Sequence, residues 1–173
     1  MITLEQCNDS KLIHAYLDRI DLKGTAIIRL SYVPPDQYPY DKKDMAFAYT
    51  GLDRIVNVYH WSFYPANHQT DDELLCTIID HEGIHAQQML EGKLVPEGES
   101  SFDCWTEWFI WKWNMELEAC NNQLENPFRR QLSENYLGMV KRSIEYHEEK
   151  IKHLRKNSVC SDGCSCHIKP KKI

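Results

Sequence analysis

No apolar run in this chain approaches the ~20 residues that a membrane span needs. Its opening residues, MITLEQCNDS, lack the basic and apolar regions of a signal peptide. Those two absences set the expectation of a cytoplasmic protein with no membrane partner. Internal repeats and long linkers are missing too, so 173 residues fit one domain, large enough to bury a core. Paired C-x2-C spacing is absent. Of the 7 cysteines, Cys7, Cys76, Cys104 and Cys120 stand singly, which suits reduced thiols better than a disulfide framework. Positive charge is in short supply: 20 Lys and Arg face 26 Asp and Glu, a net −6 that argues against a nucleic-acid footprint. The balance is uneven. From Lys150 onward seven basic residues meet one acid, a solvated tail at +6 beside a remainder at −12.

What is present divides into recognisable elements. Ser10 is placed to cap a helix over Lys11 to Asp21, with Leu12, Tyr16 and Ile20 on one face and Gly24 as its stop. GTAIIRLSYV reads as a strand halted by Pro34 and Pro35. MAFAYT and RIVNVYHWSF flank GLD and predict a hairpin. Asp71 or Asp72 can cap a helix reaching about Glu91, ended by Gly92. A Trp-rich helix follows from about Phe102 to Glu125, broken at Pro127, and another from about Arg129 to Lys156. Helix, three strands, three helices: the expectation is an α+β fold, one domain over 1–157, with an irregular Cys-rich tail over 158–173.

The chemistry centres on IDHEGIHAQQ, residues 79–88. Helical residues four apart lie only ~40° apart around the axis, so His81 and His85 can present two imidazoles to one ion. Glu82 is turned aside, toward a water on that ion rather than the ion itself. The bland alternative is an ordinary helix that happens to carry two histidines.

A catalytic zinc needs a third protein ligand and an open position. WNMELEAC offers Glu116 and Glu118, ~200° apart on a helix, so only one can face the site. Phe102, Trp105, Phe109, Trp113 and Cys120 fall within ~60° of Glu116, which places it on the apolar stripe. Glu118 shares the water-facing side with Glu107, Asn114, Asn121 and Glu125. A carboxylate on a buried face is costly unless paired or bound to metal. A lysine partner or a capped backbone group is the bland alternative for Glu116, and the geometry selects that residue over Glu118.

These features resemble the gluzincin branch of the zincin metallopeptidases. There, HExxH supplies two zinc ligands and the base, and a glutamate in an ExxA pattern on a following helix supplies the third. ELEA, starting at Glu116, fits that pattern. RIVNVYHWSF looks like the strand that precedes the active-site helix, and HEGIHAQQ is similar to HExxHxxQ-pattern peptidases of bacteria and phages. The resemblance covers roughly residues 25 to 126. It implies a small zincin-like domain in which the active-site helix and the third-ligand helix pack together. It further implies zinc-assisted hydrolysis of an amide, with His81, His85 and Glu116 on Zn2+ and Glu82 as general base. The substrate would be a peptide or protein, or a cell-wall peptide, met by strand addition at the hairpin edge. Tyr136, Tyr146 or His147 would steady the oxyanion.

Other signals are weaker. Gln88, on the His85 face, is either a partner of that histidine or a plain polar residue. Asp80 reads as a solvated acid or as one that orients a ligand, while His14, His60 and His68 read as structural or exposed. Cys160, Cys164, Cys166 and His167 place four soft ligands in eight residues, enough for a second, structural Zn2+, although incidental cysteines in an irregular tail explain them as well. The competing function is a non-catalytic zincin-like module in a larger assembly. A phage virion, or export without a signal, would read the same as a cytosolic chain.

Overall fold

The computed structural model describes residues 9–38, 46–93 and 105–157. Helix α1, Ser10–Leu17, is capped by Asp9, whose carboxylate accepts from the backbone N of Lys11 at 2.9 Å. The sequence pointed to Ser10, one residue later. Asp9 does the same work and adds negative charge at the positive end of the helix. The helix also stops earlier than expected, because Arg19 and Ile20 reach back only three residues, to Tyr16 and Leu17.

Strand β1 is Arg29–Val33, shorter than the β-branched run suggested, since Thr25 turns back on Leu22 through both its backbone and its hydroxyl. Strands β2, Ala48–Thr50, and β3, Ile55–Tyr59, form the expected hairpin. The sheet order is β1-β3-β2, with β1 parallel to β3 (Arg29 opposite Ile55) and β2 antiparallel to it (Thr50 opposite Val56). The fold is α+β, a small mixed sheet under a helical majority.

The next segment was expected to be one α-helix. It is three pieces: α2 Asp71–Leu75, a π-helical turn Cys76–His81, and α3 Glu82–Leu90. Thr70 caps it, accepting from Glu73 N at 3.2 Å. The acids proposed as caps, Asp71 and Asp72, instead take the Tyr16 hydroxyl and the Gln131 N–H. The wide turn is buried from Cys76 to Asp80, and its backbone has tertiary partners. Asn122 donates to the Asp80 carbonyl at 2.6 Å, and the Thr50 hydroxyl lies 3.1 Å from that of Glu82.

Helices α4, Trp105–Glu125, and α5, Glu134–Asn157, pack on one another, and α4 also packs on the π turn. Helix α5 starts five residues after Arg129 because Asn126 and Arg129 take positive φ of 47° and 53°, and Ser133 accepts from Tyr136 N. The main core lies between the sheet, α1 and the π turn, around Ile13, Val56, Val58, Phe63 and Ile78. A second core of Cys76, Cys120, Tyr136 and Val140 lies under α4 and α5. No described helix is long and apolar enough to cross a membrane. The expected tail site at Cys160, Cys164, Cys166 and His167 lies outside the described residues, as do Cys7, Phe102 and Cys104.

Candidate metal centre

The two histidines of α3 and its preceding turn stand four positions apart, and one α-helical turn puts their rings in contact. The centroids of His81 and His85 are 4.9 Å apart, edge to face. Helix α4 crosses the same face and delivers Glu116, whose Oε2 lies 3.5 Å from Nε2 of each ring. One atom from each of these three residues lies within 4.8 Å of the others, an opening sized for one ion. Glu118 does not join them. It stays exposed, and its Oε2 accepts from Gln88 Nε2 at 2.9 Å.

Burial of α4 follows a line slightly different from the predicted stripe. Trp108, Ala119, Cys120 and Gln123 are buried, while Phe109 remains 37% exposed. Glu116 sits inside that corrected face, so the choice between the two glutamates survives although one of its supports does not.

Each ring is fixed from behind. His85 Nδ1 donates to Gln88 Oε1 at 2.8 Å, and His81 Nδ1 to Gln123 Oε1 at 3.0 Å. Gln88 was one of two readings in the sequence; Gln123 was missed. It lies two turns after Glu116 on the same face, but nothing local in the sequence ties it to His81. The Cys120 thiol touches His81 Nδ1 at 3.9 Å as a weaker neighbour.

Those bonds decide what the front of the site contains. With both Nδ1 atoms donating, a neutral ring at either position turns a bare lone pair at Nε2 toward the Glu116 carboxylate. Three electron-rich atoms facing one another require a cation. In the metal-free chain protons fill that role. Burial opposes charge on His81, but contacts with Cys120 and Glu116 and the charge of Glu82 raise its pKa well above the ordinary 6.5. His85 is raised as well, its hydrogen bond to Glu116 outweighing burial. Burial alone would raise Glu116, yet hydrogen bonds from both rings hold it well below the usual carboxylate range. The donor set, two imidazoles and a carboxylate, is one that zinc accepts.

Glu82 is buried beside the cluster, and its Oε2 accepts from the Thr50 hydroxyl of β2 at 2.6 Å. Asp80, next to His81, is fully buried rather than solvated, and Arg130 Nε meets it at 3.2 Å. The residues considered for an oxyanion have partners of their own. Tyr136 is engaged with Thr77 and Gln123, while Tyr146 and His147 pack on Trp113. A groove along Leu117, Ile151 and Lys152 between α4 and α5 does not include the cluster. No protein-family model, curated protein or solved structure matches the chain.

Proposed function

We propose that the chain is a zinc-dependent hydrolase of peptide or other amide bonds. The observation that carries this reading is the convergence of His81 Nε2, His85 Nε2 and Glu116 Oε2 within 4.8 Å, each ring held by a glutamine behind it. When bound, zinc supplies Lewis acidity that acidifies a water and polarises a carbonyl. His81, His85 and Glu116 would hold the ion. Glu82 takes the proton of the attacking water and delivers it to the leaving amine. Thr50 engages one oxygen of Glu82 and leaves Oε1 for that transfer. A purely structural zinc site would have no use for a carboxylate in that place. The substrate class is a peptide, a protein or a cell-wall peptide, reached in the cytoplasm or after release from it.

Metal analysis of the full chain, with Cys160, Cys164 and Cys166 changed to Ser, tests the site. About one zinc per chain is expected, lost in His81→Ala and in Glu116→Gln. Unchanged zinc in both variants removes the reading. Glu82→Gln should keep the metal and abolish hydrolysis of a peptide and muropeptide panel. Zinc binding with no turnover by the wild-type chain would favour the non-catalytic module.

A further inference from the structure

Behind His81 the hydrogen bonds continue through the core. Gln123 Nε2 donates to the Tyr136 hydroxyl at 2.8 Å. That oxygen lies 2.9 Å from Thr77 Oγ1, which lies 2.8 Å from His68 Nε2. His68 Nδ1 meets the Ser62 carbonyl at 2.8 Å. Every group from His68 to Gln123 is buried.

Proton positions along this chain are not free. A carbonyl only accepts, so His68 Nδ1 must donate to Ser62. Burial lowers the pKa of His68 and keeps the ring neutral, so its Nε2 accepts and Thr77 donates. Thr77, its proton committed, accepts from Tyr136. Tyr136, now committed too, accepts from the Gln123 amide. Only Gln123 Oε1 is then left to face His81, which must carry its proton on Nδ1. The flipped amide would need a Tyr136 proton that is already engaged. The Cys76 thiol is a second, weak neighbour of Tyr136, and it also lies 3.9 Å from the Gln123 carbonyl and beside the Asp80 carboxylate.

We infer that the path Ser62–His68–Thr77–Tyr136–Gln123 is a directional hydrogen-bond wire that sets the tautomer of His81 and keeps its Nε2 bare for metal. His68, Thr77, Tyr136 and Gln123 are positioning residues for the ion. This rests on the proposed zinc site. His85 is held differently, because Gln88 Nε2 is pinned directly by Glu118 and the Met115 carbonyl.

A double-mutant cycle on the full chain tests the wire, with zinc affinity read by chelator competition. Thr77→Val removes the middle link at nearly constant shape, and should weaken zinc binding about 10-fold, the low end for partners behind a ligand. Gln123→Glu offers His81 an acceptor whichever way the wire runs, and Tyr136 can donate to it. In that background Thr77→Val should leave the affinity unchanged. An equal loss in both backgrounds, or none in either, overturns the wire. If Thr77→Val does not fold, Tyr136→Phe breaks the neighbouring link and is read against the same two outcomes. If the wild-type chain takes up no zinc, the proposed function fails separately. The wire is then read from the His81 ring nitrogens by NMR, at a pH where the ring is neutral. A proton on Nδ1 in the wild type, redistributed in Thr77→Val, supports it; the same tautomer in both overturns it.

Discussion

Two clusters of acids lie on or against one helical segment, and they end differently. At its start, Glu73 accepts from Gln69 N, Ser133 N and the Ser133 hydroxyl, while Asp80 meets Arg130. Those carboxylates have in-chain donors, and they tie the segment to the start of α5. In the second cluster, Glu116 of α4 faces two rings whose neutral forms offer it only lone pairs, and Glu82 has one hydroxyl. A carboxylate drawn out of water therefore means different things in the two places. One cluster is complete as folded; the other is complete only with added positive charge, as protons or as metal.

Removing Arg130 breaks the comparison most severely. Arg130→Ala leaves Asp80 without its cation, and should cost about 3–5 kcal/mol in urea unfolding while zinc per folded chain stays constant. A cost under ~1 kcal/mol would mean that the first cluster is not closed. At the second cluster, zinc at 100 times its dissociation constant should stabilise the wild type by about 2.7 kcal/mol and Glu116→Gln hardly at all. Equal gains in thermal unfolding would place the ion elsewhere.

The smallest effect is the pH dependence of the chelated protein. His81 and His85 titrate higher in the folded chain, so their contribution is full below the ordinary 6.5 and is lost as pH rises through their raised values. Glu116 titrates lower, so its contribution holds above 4.5 and is lost as pH falls through its depressed value. Melting temperature with chelator present should therefore peak between those limits and decline at alkaline pH. With zinc it should not decline there, because bare rings are what the metal binds. A flat chelated profile would mean that the rings and Glu116 are not coupled.

The legible parts of this site were the local ones. His81, Glu82 and His85 are set by the repeat of a single turn, and Glu116 by a face of one helix. Gln123 sat on that same face but carries no apolar signal, and it gains meaning only once His81 is placed against α4. The parallel pairing of β1 with β3 joins distant residues and leaves no local mark. The π turn was unreadable for a similar reason. Its sequence, CTIIDH, is compatible with an ordinary helix, and what accompanies the widening is Asn122 on another element, holding the Asp80 carbonyl.

That wide turn amounts to one extra residue spliced into a helix. It works as a phase shifter: residues 71–75 face α1 and α5 in one angular frame, and residues 82–90 face α4 in another. Asn122→Leu, which removes the side chain that holds the Asp80 carbonyl, would let the segment relax at constant length into uninterrupted α-helix, with better internal bonding. It would also swing His81, Glu82 and His85 by roughly 100° against Glu116. Such a chain should keep or gain helical circular dichroism while losing zinc. The site is held by an irregularity, so a more regular protein would be the one that fails.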